Sequence, residues 1–180
     1  MLETHGVDKG VLNACKEIVE INKNLKTKTT IVGGPKEKID EILHLVNKHS
    51  EQNNFEISHF IPHSEVPKII SKFDIGIVPY PNDEHMNLYA SPMKVFELAA
   101  AGVPILASNI KAHLELERFN LGILLYQHDD FGDFRRKLIY LLENANLRSE
   151  LSKKSLENIE NLSFRNRTKK LLESVRSSNG

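Results

Sequence analysis

Residues 74–108 read DIGIVPYPNDEHMNLYASPMKVFELAAAGVPILAS. Two short apolar runs, Asp74-Ile75-Gly76-Ile77-Val78-Pro79 and Pro104-Ile105-Leu106-Ala107-Ser108, have the composition of buried strands. Between them, residues of about 92–101 predict a helix. A strand–helix–strand order implies parallel pairing, because the crossover returns the chain to the same edge of a sheet. In an open parallel sheet, ligands bind in the crevice beyond the carboxyl ends of the strands. Pro79-Tyr80 and Ser108-Asn109 mark two of those ends. The connection from Pro81 to Ala90 leaves the same edge and exceeds the usual two to six residues, which predicts a functional loop.

The same alternation extends in both directions. Upstream, a helix over 8–22 precedes the β-branched run Thr29-Thr30-Ile31-Val32, which stops at Gly33-Gly34-Pro35. A helix over 37–50, a strand over Phe55–Phe60 ending at Ile61-Pro62, and a short helix from His63 to Phe73 follow. Downstream come a short helix near 111–118, a strand Gly122–Tyr126, and helices at about 130–144, 147–160 and 164–177. The expected class is a doubly wound α/β domain, a parallel sheet with helices on both faces, formed by residues 1–180 as a single unit. The chain opens almost directly on a helix, and a strand ending at about Met1–Glu3 would complete the pattern. The expectation is therefore a fragment cut near a domain boundary.

Composition excludes several classes. The 180 residues carry 24 basic and 24 acidic side chains, 40% hydrophobic residues and a pI of about 7.1, which describes a soluble globular chain without the charge footprint of a nucleic-acid binder. Cys15 stands alone, so no intrachain disulfide or cysteine-built zinc site exists, and a reducing, cytoplasmic compartment is expected. No apolar run reaches a membrane span, and the N-terminus lacks the basic-then-apolar order of a signal peptide. The zero net charge is uneven: residues 135–180 hold 11 basic and 5 acidic side chains, leaving 13 and 19 for residues 1–134. The basic end is either a solvated helical face or a surface for an anionic partner, such as a membrane face or a second domain.

Ser91-Pro92-Met93-Lys94-Val95-Phe96-Glu97 is the most informative stretch. Ser91 is a good N-cap and Pro92 suits the first helical position. Met93 and Lys94 then present backbone amides beyond the sheet. A lysine in a helix's first turn opposes the macrodipole, and an acidic residue is the ordinary choice there. Lys94 is explained by an anion at that terminus, where amides, dipole and ammonium converge on phosphate, or it is an exposed lysine in solvent. Glu97, one turn on, either accepts hydrogen bonds from vicinal ribose hydroxyls or pairs with a lysine on the helix surface. Gly102 is placed to end the helix in the left-handed conformation. Val32-Gly33-Gly34-Pro35 lacks the Walker and dinucleotide glycine patterns and reads as a turn at a strand end. Asp83-Glu84-His85 converges poorly as a metal site, and no metal is expected.

The segment SPMKVFELAAAGVPILASN, Ser91 to Asn109, resembles the nucleotide-sugar glycosyltransferases of family 4, whose GT-B fold pairs two Rossmann-like domains across a cleft. His5-Gly6-Val7-Asp8-Lys9-Gly10 resembles the start of the family's C-terminal domain. Thr30–Gly34 resembles its second strand, Phe60-Ile61-Pro62 its base-side loop, and Phe73–Pro79 its central strand. The resemblance implies a Rossmann-like domain forming the C-terminal half of a GT-B fold. Lys9 would contact the diphosphate, Phe60 and Ile61 the base, Met93 and Lys94 phosphate, and Glu97 the ribose. Gly33, Gly34, Ser91 and Pro92 belong with the same ligand-facing edge, and Tyr89 and its loop with donor contacts. It further implies retaining transfer without an obligatory metal, no cofactor besides the nucleotide-diphosphate sugar donor, and an N-terminal domain holding the acceptor. The alternatives are a nucleotide-sugar epimerase of the same architecture and a non-catalytic binding domain. Two positions depart from the pattern: Tyr89 stands where many members carry a second glutamate, and Glu3 where an arginine is common.

Overall fold

A computed structural model describes residues 10–58, 61–89 and 91–177. The first helix, α1 (Val11–Asn22), buries Val11, Ala14, Cys15, Ile18, Val19 and Ile21. Strand β1 (Thr29–Val32) pairs in parallel with β2 (Phe55–Ser58) across α2 (Lys36–Lys48). A 3₁₀ turn at His63–Glu65 leads into α3 (Val66–Ile70), so the expected helix from His63 to Phe73 is divided and shorter. Pro67, which has no N–H, sits in the first turn of α3, where that N–H would lack an intrahelical partner in any case.

Strands β3 (Gly76–Val78), β4 (Ile105–Ser108) and β5 (Ile123–Tyr126) form a second parallel sheet in the order β3-β4-β5. Between β3 and β4 lie α4 (Glu84–Leu88) and α5 (Met93–Ala100), and α6 (Lys111–Leu114) follows β4. Then α7 (Phe131–Glu143), α8 (Ala145–Asn158) and α9 (Phe164–Ser177) complete the chain. Among the described residues the strands thus divide into a pair and a triplet rather than one continuous sheet, because β1 and β3 do not pair with each other. The expected strand at Met1–Glu3 lies outside the described residues.

β4 shows why helices must cover both faces. All four of its residues are buried. Leu106 joins a core with α1, α2 and α7, while Ile105 and Ala107 join a second core with α3, α5 and α6. Alternate side chains of a strand point to opposite faces, so the two cores sandwich the sheet. This is the expected α/β arrangement, with parallel strands flanked by helices on both faces.

The position of α5 follows from local sequence. A Cβ on Gly76 would meet Leu98 Cδ2 at 2.5 Å, so the bare glycine of β3 lets the helix pack directly on the strand through Leu98. At the other end Gly102 takes φ +67°. Its N–H donates to the Ala99 carbonyl and that of Val103 to the Leu98 carbonyl, both at 3.0 Å, which is the predicted left-handed helix stop.

Candidate active site

The N-terminus of α5 lies beyond β3, on the loop edge predicted to bind ligand. Its cap is Pro92, which is buried, and not Ser91. The Ser91 carbonyl accepts the Met93 N–H at 2.8 Å, and the Pro92 carbonyl accepts those of Val95 and Phe96 at 2.9 and 3.4 Å. A tight turn through backbone carbonyls replaces the expected hydroxyl cap, and no side chain closes this helix start.

Lys94 Nζ lies 2.8 Å from Glu97 Oε2, both side chains about one-fifth exposed. One turn of helix brings the two together, and the pair offsets the cost of a cation in the first turn by a few tenths of a kcal/mol or more. The lysine-pairing reading of Glu97 is therefore the one the structure realises. Glu97 also acts inward. Burial raises the Tyr80 phenol above its ordinary value, and the Glu97 carboxylate adds to that shift, so its charge is felt at the carboxyl end of β3.

Ser108, the last residue of β4, is fully buried and donates from Oγ to the Tyr80 carbonyl at 2.7 Å, tying the β3 and β4 exits together. His113 of α6 is also fully buried, with its ring 5.3 Å from that of Tyr80. Its Nδ1–H donates to the Ser108 carbonyl at 2.7 Å. Burial pushes this imidazole down to about 4, against the opposing pull of that hydrogen bond. The ring is neutral at pH 7, and its buried Nε2 has no partner among the described residues.

A polar network crosses the same edge. Asn109 Oδ1 accepts from the His128 backbone N–H and Nδ1–H at 2.7 and 2.8 Å, and Asn82 Nδ2 donates to His128 Nε2 at 3.0 Å. Asn87 links Asn82 to the Lys111 N–H. The segment 81–89 is thereby fastened to the β4 and β5 exits. It is also not the irregular loop expected, since α4 forms within it. The Asp83 carboxylate caps that helix by accepting the Met86 N–H at 2.7 Å. Asp83 followed by Glu84 is a helix-start signal that sequence reasoning passed over in favour of a solvated loop. Among the described residues no three His, Cys, Asp or Glu side chains cluster as a metal site.

The remaining candidates fall at differing distances from this centre. Gly33 and Gly34 have φ of +78° and +128° at the exit of β1, and Gly33 N–H continues the ladder to the Ser58 carbonyl at 2.9 Å. Ile61 is half-buried and packs against the α3–α5 core. Tyr89 is 72% exposed at the end of α4, with its ring 6.2 Å from that of His85, and Met93 is 44% exposed. Lys9 and Phe60 lie outside the described residues. Gly10, however, sits against the exit of β3: a Cβ there would meet the Pro79 carbonyl oxygen at 2.2 Å. Gly10, at the head of α1, thus meets the edge that carries Tyr80 and α5.

Residues 3–144 match the family model for glycosyl transferases, group 1. The chain belongs to that family. Solved glycosyltransferases share its fold. A glycosyltransferase of Rickettsia africae superposes with a TM-score of 0.78 at 16% identity, covering 98% of this chain and 46% of that one. The C-terminal domain of a group 1 glycosyl transferase of Francisella tularensis gives 0.70 at 17% identity, covering 88% and 82%. Anabaena HepE, solved in complex with UDP and glucose, gives 0.75 at 11% identity, covering 97% and 47%. The glycosyltransferase chain therefore spans about half the length of the Rickettsia and Anabaena structures. No curated protein matches it. Within the group 1 glycosyltransferase the start of α5, the Lys94–Glu97 pair and the β3 and β4 exits are the candidate active site.

Proposed function

We propose that this glycosyltransferase chain is a donor-binding domain of the family 4 type, which holds a nucleotide-diphosphate sugar at the start of α5. The observation that carries the reading is the Lys94–Glu97 pair, 2.8 Å apart, on a helix start that no side chain caps. Amides in the first turn, the positive end of the helix dipole and the Lys94 ammonium all favour a diphosphate. As the anion arrives, Lys94 Nζ exchanges the Glu97 carboxylate for phosphate oxygens. The released carboxylate then accepts hydrogen bonds from the ribose hydroxyls. Lys9, next to Gly10 at the β3 exit, supplies the second cation. Gly33 and Gly34 let backbone approach the ligand, and Phe60 and Ile61 flank the base. Complexes of a neighbour with UDP and with UDP and glucose support this class of ligand.

In this reading the chemistry is transfer of the sugar with retention. The leaving diphosphate gathers negative charge as its bond to the sugar breaks, and fixed amides and cations stabilise that charge without a metal. The acceptor belongs to an N-terminal GT-B domain of the same enzyme, so the chain alone turns over little. The setting is cytoplasmic. The basic C-terminal helices suit a peripheral place on an anionic membrane face, and among the described residues no helix is long and apolar enough to cross a membrane.

Calorimetric titration of the chain with UDP, GDP and ADP tests the binding claim. Saturable binding of at least one is expected, and absence of binding to all three contradicts it. Product analysis on a two-domain enzyme containing this chain separates transfer from epimerisation.

A further inference from the structure

The amide network over the carboxyl edge has a fixed direction, because a backbone N–H, which can only donate, stands at each end of it. At the α6 end the Lys111 N–H donates to Asn87 Oδ1 at 2.9 Å, so Asn87 turns its Nδ2 the other way, onto Asn82 Oδ1 at 2.6 Å. Asn82 is oriented in turn, and its Nδ2 donates to His128 Nε2 at 3.0 Å. That nitrogen therefore carries a lone pair. At the β5 end the His128 N–H donates to Asn109 Oδ1 at 2.7 Å, and the same oxygen lies 2.8 Å from His128 Nδ1. An amide oxygen only accepts, so Nδ1 carries a hydrogen.

The two ends independently require the same form of His128, the neutral ring with its hydrogen on Nδ1. The other neutral form would set Nε2–H against Asn82 Nδ2, donor on donor, and the Nδ1 lone pair against Asn109 Oδ1. Neither amide can turn over to meet it. Reversing Asn109 loses the His128 N–H, and reversing Asn82 sets its Nδ2 against that of Asn87. What the ring holds is α4. Asn82 and Asn87 stand before and within that helix, and Met86 is buried in the core that α3, α5 and α6 share. α4 ends at Leu88 and α5 begins at Met93, so residues 89–92 alone join them and leave the two helices little freedom to move apart. No side chain caps α5, and its start takes its place from this link.

We propose that His128, with its hydrogen on Nδ1, is a positioning residue for the donor. It clasps α4 across the β4 and β5 exits through Asn82 and Asn109, and so fixes where the first-turn amides of α5 meet a diphosphate. The effect on the diphosphate rests on the donor-binding reading; the clasp itself does not. Each link is one half-exposed hydrogen bond, so losing it should change affinity several-fold rather than abolish binding.

Nitrogen NMR of the imidazole rings in the nucleotide-free chain at pH 8 reads the form of the ring directly. His128, assigned by the loss of its signals in His128→Gln, should carry hydrogen on Nδ1, the minor form of histidine free in water. Hydrogen on Nε2 overturns the proposal. Substitutions then divide the ring. His128→Gln keeps an acceptor within reach of Asn82, whereas His128→Asn keeps only a donor toward Asn109. With whichever of UDP, GDP and ADP binds, His128→Ala and His128→Asn should weaken binding by about three- to tenfold, and His128→Gln should restore most of it. Gln127→Ala removes an Asn109 contact outside the clasp and should change affinity by less than about twofold. Unchanged affinity in His128→Ala, or a loss in His128→Gln as large as in His128→Ala, overturns the proposal. If none of the three nucleotides binds, the donor reading fails, and amide exchange decides the clasp: the Met86, Asn87 and Met93 amides should exchange about three- to tenfold faster in His128→Ala than in the unaltered chain. Equal rates overturn it.

Discussion

Helices α5 and α7 both begin at the carboxyl edge of the second sheet, yet they finish their N-termini in opposite ways. At α7 side chains close the helix start. The Asp130 carboxylate accepts the Asp133 N–H at 2.8 Å, and Asp133 in turn accepts the Gln127 N–H and pairs with Lys137. Burial works against the Asp133 carboxylate, but these donors hold it below its ordinary value. At α5 the cap is a proline without a side-chain acceptor, the first turn carries a lysine, and nearby His113 buries an Nε2 with no partner among the described residues. Side chains close the start of α7, and none closes that of α5.

The largest test of this contrast is pH. Buried His113 stays neutral down to about pH 4, whereas the same side chain in the unfolded chain takes up a proton near 6.5. The unfolded state therefore binds more protons between those values, and stability should fall as pH drops from 6.5 to 4, by on the order of 3 kcal/mol. Asp133 has the other window: its folded-state value is depressed, so its contribution is present above about 3.8 and is lost only as pH falls further. Urea unfolding at pH 7, 5.5 and 4 reads the first window, and His113→Gln should flatten it. An unchanged slope in that variant would remove His113 from the contrast.

Next in size is Lys94→Ala. Loss of a charge-assisted contact should weaken nucleotide diphosphate binding by about 10- to 100-fold, read by calorimetry. Lys137→Ala, which breaks the Asp133 pair on α7, should leave that affinity unchanged. Equal losses from both variants would dissolve the distinction between the two helix starts.

Asp130→Ala removes the α7 cap and should cost about 1 kcal/mol of stability in urea unfolding, with no effect on nucleotide affinity. The smallest effect is expected from Met93→Glu, which gives the first turn of α5 an acidic side chain at a position that is 44% exposed. It should cost no stability, or add about 0.5 kcal/mol, while weakening diphosphate binding by placing a like charge at the helix start. Tighter binding in this variant would contradict the open-end account.

Much of the fold was legible in local sequence. Thr29–Val32 stops at two glycines, Ala99–Val103 carries its own stop signal, and the apolar run 104–108 is too short for a helix and too continuous for a half-exposed strand. The places where sequence reading failed have specific causes. Ser91-Pro92 has the composition of an N-cap followed by a first helical residue, but backbone carbonyls close the turn one residue later. Residues 81–90 look irregular because α4 is a helix of only five residues, with too few turns to show a period. The division into two sheets depends on which strand edges meet, and no local pattern records that. At the site, Lys94 and Glu97 could be paired on paper from their spacing alone. His113, Ser108 and Tyr80 could not, since a buried histidine in the short helix after β4 that meets the exit of β3 leaves no motif.

The central claim is that the open start of α5 receives a diphosphate. The most direct measurement is an amide NMR titration of the chain with UDP, GDP and ADP. The account predicts saturable shifts at Met93 and Lys94 with at least one of them, lost in Lys94→Ala, while Phe131 and Gly132 at the capped start of α7 stay in place. Shifts absent at Met93 and Lys94, or equal at the two helix starts, would contradict it.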